Sequence, residues 1–357
     1  MIWHPFKRSF KNFLGIDVGS STVKIVELSR WKDKIKLENY GQVSTSPLQK
    51  KPFLSVSKNF LSLSAKSVSE AINAVLAEAE IKTRFTVFAI PDFSTFYTTF
   101  NLPPMSKEEI VHAVEFEARR HVPLPLSEIA LDWISIDDKE TSGEAGLKIL
   151  LVAIPNTVIK QYQEIAHFSN LKISALEGEV FSLTRALVEK QSKKVIALID
   201  IGSRSTTVSI VDKGVLKASH SFDVSGGELT TVISGSLNVG YKVAEELKKE
   251  YGLIPNKERD LRRVLLPLID SMLAEIDKIS NNFSKQEGKE VDCYIVAGTS
   301  AFLPGLKEYS SERLKKEVRI ADPFSDIIYP PVLEDALKEL GPGLAIAVGS
   351  ALRGFEK

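Results

Sequence analysis

An α/β fold of two related lobes follows from three features of the sequence. Apolar runs of strand length alternate with amphipathic segments of helical length along most of the chain. A strand–turn–strand segment, "IDVGSSTVKIV" from Ile16, returns half a chain later as "IDIGSRSTTVSI" from Ile199. The 357 residues are enough for two or three domains. Aligned without gaps, Asp17 meets Asp200, Gly19 meets Gly202, Ser20 meets Ser203 and Thr22 meets Ser205. One Asp-x-Gly-Ser turn would be weak evidence, because these residues populate hairpin turns for conformational reasons. Two copies with their flanking strands read as an internal duplication.

The elements follow in order. "FLGIDVGSSTVKIVELS" predicts two strands about a turn, and "KDKIKLENYGQVST" a polar turn and a third strand. Residues 45–65, rich in Ser, Lys and Pro, read as a loop. "SVSEAINAVLAEAEIK" has helical spacing and a cap at Ser67 or Ser69. "RFTVFAI" is a buried strand, and "FYTTFNLPP" a shorter one stopped by Pro103 and Pro104. "SKEE" from Ser106 is a capping box opening a helix that Pro123 and Pro125 end. "ALDWISIDD" and "LKILLVAI", joined by "KETSGEAG", predict a hairpin. The helix "NTVIKQYQEIAHFSN", the strand "ISAL" and the helix "EVFSLTRALVEK" come next. Three strands fill "KVIALIDIGSRSTTVSIVDKGVLKASHSF", and residues 226–287 are largely helical. The strand "VDCYIVAG", the helix "PGLKEYSSERLKKEV" and a helix through "GLAIAVGSALRG" complete the chain.

Composition excludes several function classes. The 46 Lys and Arg balance the 46 Asp and Glu, so bulk charge does not suit a nucleic-acid partner. The single cysteine, Cys293, rules out a disulfide within the chain and reads as a buried strand residue. Five histidines show no metal-ligand spacing. No stretch approaches the roughly 18–20 apolar residues that span a bilayer. The start, "MIWHPFKRSFKN", lacks the apolar centre of a signal peptide. Its Lys7, Arg8 and Lys11 could touch an anionic membrane, but a lightly packed tail is the preferred reading. A soluble, cytosolic chain is expected.

The repeated turn suits a nucleotide gripped between lobes. Glycine lets the backbone approach a phosphate, and successive turn N–H groups form an anion nest. Ser and Thr hydroxyls add donors. An aspartate at each strand end can hold Mg²⁺, through waters that this ion gives up reluctantly.

The two Asp-x-Gly-Ser turns and "VAGTSAFLPGL" resemble the actin-like (ribonuclease H-like) ATPase superfamily, with its phosphate-1, phosphate-2 and adenosine motifs. Within it, the sequence is similar over nearly its whole length to the type IV pilus assembly PilM family, which is related to FtsA. "FNLPPMSKEEIVHAVEFEARRHVPLPLSEIALDW" resembles that family's inserted α+β subdomain. "LKILLVAIPNTVIKQYQEIA" and "GPGLAIAVGSALRGF" resemble its return strand and its end. The resemblance implies a first-lobe core of 1–44 with 146–192 and an insertion of 45–145. It implies a second-lobe core of 193–225 with 289–357 and a helical subdomain of 226–288.

The site residues it implies are these. Asp17 and Asp200 face Mg²⁺. Gly19, Ser20, Ser21 and Thr22 meet one side of the ATP phosphates, and Gly202, Ser203 and Arg204 the other. Gly226 and Gly227 form a glycine pair near the nucleotide. Glu245 and Lys248, on one helical face, reach the ribose hydroxyls. Gly298 and Thr299 stand where the family usually has two glycines, which implies weaker ATP binding; an arginine expected before the glycine pair is missing from "ASHSFDVSGG". Glu179, or less well Glu177, stands where an acid orients the attacking water, though either suits a helix dipole.

Three functions compete. The resemblance implies an ATP-binding scaffold of the pilus inner-membrane platform, peripheral to the membrane on its cytoplasmic side. Its partner would be the N-terminal cytoplasmic peptide of a PilN-like protein, bound between the first lobe and the insertion. Other platform and motor proteins and self-association are also implied, with slow or undetectable ATP turnover. A sugar or acetate kinase of the same superfold lacks a convincing substrate cluster. A self-anchored FtsA-like filament former would need an amphipathic membrane helix, which "ALRGFEK" does not provide.

Overall fold

The computed structural model describes residues 12–45, 63–136, 146–255 and 260–356. The expected basic start, most of the 45–65 loop and the "KETSGEAG" turn lie outside the described residues. The chain opens with β1 (Asn12–Val18), β2 (Thr22–Trp31), β3 (Lys34–Ser44), α1 (Ala65–Glu78) and β4 (Phe85–Ile90). Then come β5 (Phe96–Leu102), α2 (Lys107–His121), β6 (Ile129–Ser135) and β7 (Leu147–Pro155). α3 (Asn156–Phe168), β8 (Lys172–Gly178) and α4 (Glu179–Leu187) precede β9 (Val195–Ile201), β10 (Thr206–Asp212) and β11 (Val215–Phe222). Three helices follow, α5 (Gly226–Leu237), α6 (Tyr241–Tyr251) and α7 (Leu261–Glu287). The chain closes with β12 (Cys293–Ala297), α8 (Leu306–Leu314), β13 (Glu317–Ile320), β14 (Ile327–Ile328) and α9 (Glu334–Arg353).

The duplication seen in the sequence is a duplication of topology. The first sheet runs β14-β3-β2-β1-β4-β8 and the second β11-β10-β9-β12-β13. In each, an antiparallel three-strand meander (β1-β2-β3 or β9-β10-β11) is extended by two parallel strands. The register agrees as well: Asp17 sits beside Ala89, and Asp200 beside Ala297. Each aspartate therefore ends a central strand beside a parallel neighbour, where ligand crevices form in open α/β sheets.

Alternation sorts the side chains of β1. Leu14, Ile16 and Val18 face a core with Val68, Ile72 and Val75 of α1 and Val158, Tyr162 and Ile165 of α3. Gly15 and Asp17 face the other way, toward α9. A Cβ on Gly15 would lie 1.8 Å from the Ala347 carbonyl oxygen, so only glycine lets α9 lie this close. Gly349 of α9 does the same against α4, where a Cβ would lie 1.9 Å from the Ser182 carbonyl oxygen.

Several expectations need correction. The α1 cap is Ser64, whose hydroxyl accepts from the Ser67 N–H, rather than Ser67 or Ser69. The capping box at Ser106 and Glu109 is present. The expected helix through Val318 stops at Leu314, and Glu317–Ile320 instead pairs with β12 as an edge strand. The sheets also divide the chain at other points than 45 and 145. α1 and β4 belong to the first lobe, because β4 is hydrogen-bonded between β1 and β8. The insertion spans Phe96–Pro155: β7 pairs with β5 and β6, and with α2 they enclose a core of Phe100, Ile110, Val114, Ile149 and Leu151. The end of the chain returns to the first lobe, where Leu344, Ala347 and Val348 of α9 pack on Val26 and Leu28 of β2.

The glycine contacts give a stability test. Gly15→Ala should cost about 3 kcal/mol, since backbone atoms must shift to admit the methyl group. Gly235 of α5 has open space around a Cβ. Gly235→Ala should leave stability unchanged or raise it by up to about 1 kcal/mol. Urea denaturation of the two variants checks both; equal effects would contradict the packing described.

Candidate functional site

The site is the cleft where the two repeated turns meet. In each turn the glycine N–H donates to a carbonyl three residues on: Gly19 to Thr22 and Gly202 to Ser205, both at 3.0 Å. A Cβ on either glycine would lie 3.0 Å from that same carbonyl oxygen, tight enough to disturb the turn. Neither glycine has a positive φ, so room rather than handedness selects it. The turns face each other, and the Ser20 and Ser203 hydroxyls, 183 residues apart, share a hydrogen bond of 2.7 Å. Beside them the Arg204 guanidinium lies 4.6 Å from the centre of the Phe93 ring, joining the second lobe to the first. These contacts draw the cleft nearly shut. Its enclosed volume is about 50 Å³, far below the ~300–1,000 Å³ of small-molecule sites.

The electrostatics are set by burial. Asp17, 2% exposed, receives a hydrogen bond from Lys24 Nζ at 3.0 Å, and Lys24 is its cross-strand partner in the β1–β2 ladder. Burial pulls the Lys24 ammonium down, but Asp17, Asp200 and Glu179 outweigh it and leave the pKa raised. Burial pushes Asp200 up to about 6, with Lys24 opposing and Asp17 adding. Asp92 is pushed up to about 7, mainly by burial. Glu179 is held well above the ordinary carboxyl value by burial, then by Asp92, Asp17 and Asp200.

These groups fit a water-bridged divalent cation. Asp17 Oδ1 is buried without a hydrogen-bond partner among the described residues, and a cation would satisfy it while offsetting the burial and, to a lesser degree, the Asp17 charge that raise Asp200. Direct ligation by several side chains does not fit. Among the described residues no group of three or more His, Cys, Asp and Glu could hold a metal ion. Asp17 and Asp200 are therefore suited to Mg²⁺ carried by phosphate and water oxygens.

Most of the expected residues come together. Asp17, Gly19, Ser20, Ser21, Thr22, Glu179, Asp200, Gly202, Ser203, Arg204, Gly298 and Thr299 all line the cleft. Gly298 has φ +91°, and a Cβ there would lie 2.6 Å from Asp200 Oδ1. Thr299 follows it with an exposed side chain.

Four expected residues are engaged by other groups of the fold. The N–H groups of Gly226 and Gly227 donate to the Gly202 and Ser203 carbonyls at 2.9 and 3.1 Å, so they brace the second turn. Gly226 is required by packing, since a Cβ would lie 2.0 Å from Ser300 Oγ. Lys248 is buried and donates to the Gly226 carbonyl, Thr230 and Glu245 at 2.9, 2.8 and 2.6 Å. Glu245 also accepts from Thr230 at 2.5 Å. The expected ribose pair is thus a bolt between α6 and α5, because a buried ammonium takes the acceptors nearest to it. Glu177 is likewise occupied, accepting from Arg185 at 2.6 and 2.9 Å and from Ser182 at 2.7 Å.

Sequence reasoning missed Lys24, Asp92 and Phe93. Lys24 had a signal, a lone cation within the buried strand "TVKIVEL" and two residues past the turn. Asp92 had a weaker one, an acid just after an apolar strand, the same placement that marked Asp17 and Asp200. Phe93 had none.

Linkage gives a pH test. The folded chain holds the Asp200 proton more tightly than an ordinary carboxyl of pKa 3.8. The corresponding stability is present at acid pH and is lost as pH rises through about 6. Asp200→Asn cannot ionise, so its Tm should pull ahead of the native chain's as pH rises from about 4 to about 6, by about 2 °C or more, and the gap should level off above that. Scanning calorimetry in EDTA reads the gap; a gap that does not change with pH would contradict the assignment.

The comparisons with known proteins agree with this geometry. The family model described as type IV pilus assembly protein PilM matches residues 15–355. Cell division protein FtsA of Staphylococcus epidermidis is 20% identical, over 93% of this chain and 79% of that one. FtsA of Bacillus subtilis is also 20% identical, over 87% and 78%. A solved PilM–PilN type IV pilus biogenesis complex matches with TM-score 0.83 and 23% identity, over 96% of this chain and 98% of that one. MreB5 of Spiroplasma citri, solved with ADP bound, shares the fold at TM-score 0.53 and 13% identity, over 96% and 95%. The duplicated sheets with facing Asp-x-Gly-Ser turns are thus an actin-like ATPase fold, and the chain belongs to the type IV pilus assembly protein PilM family.

Proposed function

We propose that this chain is a scaffold that binds ATP with Mg²⁺ between its lobes and presents a nucleotide-dependent surface to a PilN-like protein. The observation that carries the reading is the Ser20–Ser203 contact, which seats the two hydroxyl-rich turns face to face. Gly19, Ser20, Ser21 and Thr22 offer donors to phosphate oxygens from one side, and Gly202, Ser203 and Arg204 from the other. Lys24 adds a buried cation. Asp17 and Asp200 hold Mg²⁺ through water. When bound, the ion and the triphosphate supply the opposite charges that the buried carboxyls and the turn donors lack. A triphosphate seated between the two turns would part the Ser20–Ser203 contact. Thr299, at the adenosine end, narrows the space for the base or ribose.

Glu179 is the candidate for orienting water; burial and the neighbouring acids hold its carboxyl well above the ordinary value.

The partner is the cytoplasmic N-terminal peptide of a PilN-like membrane protein, in a groove between the first lobe and the insertion. The supporting likeness is the solved PilM–PilN complex, whose chain covers this one almost fully. Attachment to the inner membrane then comes through that partner; no helix among the described residues is long and apolar enough to cross a membrane.

Calorimetry tests the nucleotide site. ATP should bind in Mg²⁺ more tightly than in EDTA, and Asp17→Ala should weaken Mg·ATP binding about tenfold or more, about 1.4 kcal/mol. Equal affinity for the variant would sink the Mg²⁺ assignment. Turnover above about 10⁻² s⁻¹ by the isolated protein would contradict the scaffold reading. A labelled N-terminal peptide of a PilN-like protein should show higher anisotropy with this chain, and a different affinity with and without Mg·ATP.

A further inference from the structure

The segment Pro91–Ser94 leaves β4 for the insertion, and on its way it forms part of the cleft wall through Pro91 and Phe93. Asp92 lies between them, 6% exposed. Its Oδ1 accepts from the Tyr97 hydroxyl at 2.6 Å and from the Val180 N–H at 3.4 Å. Its own N–H donates to Glu179 Oε2 at 3.1 Å. Its Oδ2 is buried with no hydrogen-bond partner among the described residues. Tyr97 belongs to β5 of the insertion, yet its hydroxyl occupies the place of a side chain at Gly178, where a Cβ would lie 1.8 Å from it. Its ring also packs edge-on against Phe181 of α4, with centroids 5.9 Å apart.

We infer that Asp92 is a positioning residue that fixes the Glu179 carboxyl in the cleft and ties it through the Tyr97 hydroxyl to the insertion. One residue thereby touches the start of α4 with its backbone and side chain, and the start of β5 with the same carboxylate oxygen. The short Tyr97–Asp92 distance is that of a charge-assisted hydrogen bond. Burial keeps water from replacing it. A buried carboxyl with one satisfied and one empty oxygen has a second arrangement open to it, as a two-state link requires. The neighbouring Phe93 extends the link to the second lobe through Arg204. A change of charge at Glu179 is then transmitted to the three-stranded sheet of the insertion. The inference takes the cleft's ligand from the proposed function, but the link itself needs none.

Hydrogen exchange without nucleotide tests it. Glu179→Gln replaces the carboxyl at the cleft with an amide that cannot ionise, and exchange in Phe96–Leu102 and Leu147–Pro155 should change about threefold or more. In a Tyr97→Phe background, which keeps the ring and loses only the hydroxyl, the same substitution should leave those segments unchanged. Asp92→Ala should abolish the response, and Asp92→Asn, which keeps an acceptor for Tyr97, should preserve it. Damage to packing alone would alter the exchange of Tyr97→Phe without erasing its response to Glu179→Gln. Full response in Tyr97→Phe, or none in the native background, would overturn the inference. Failure to bind ATP in calorimetry would defeat the proposed function while leaving this result standing.

Discussion

Burying carboxyl groups at the ends of parallel strands is costly, and the cleft is organised around that cost. Asp17 meets it with Lys24, whose place opposite is fixed by the antiparallel register of β1 and β2. The same ammonium opposes the burial of Asp200 from across the cleft. Asp92 and Glu179 share their burial with each other and with donors from Tyr97 and the backbone. Such clusters favour protonation or an incoming cation, because like charges in a weakly polarisable interior repel strongly. The hydroxyls and N–H groups of the two turns present the opposite preference, for anions. A metal-bound polyphosphate answers both demands at once.

The duplication explains why these groups meet, and its breakdown explains what each lobe does differently. Ala89 and Ala297 occupy matching positions beside the two aspartates. Beyond them the chains part. After Ala297, Gly298 takes a left-handed conformation that brings its backbone against Asp200. After Ala89, the chain runs through Pro91, Asp92 and Phe93 into a subdomain with a core of its own. In the first lobe, the place equivalent to Gly298 is thus the root of the insertion. This is a physical route by which cleft and insertion can influence one another.

The sequence determined a great deal without help from the fold. Strand and helix positions followed from period, and the α2 terminus from its capping box. The repeat of Asp, Gly and Ser alone was enough to pair Ser20 with Ser203, because topology was duplicated along with sequence. Spacing, in contrast, did not reveal contacts. Gly226 and Gly227 were expected near the nucleotide, and their N–H groups hold the Gly202 and Ser203 carbonyls. Glu245 and Lys248 have the right spacing for a ribose, yet Lys248 turns inward to Gly226 and Thr230. Spacing fixes which side chains share a helix face, but not what lies opposite that face.

Domain boundaries were decided only by tertiary structure. Nothing local distinguishes β4, which belongs to the first lobe, from β5, which belongs to the insertion; hydrogen-bonding partners do. The return of α9 to the first lobe was equally hidden, since it rests on Gly15 and Gly349 making room at two points over 300 residues apart. Local sequence carries conformational preference and pattern, and these sufficed for elements, repeat and facing turns. Which buried acid faces which donor depends on register and packing even between near neighbours, as in Asp17–Lys24 and Asp92–Tyr97, and there the fold decided.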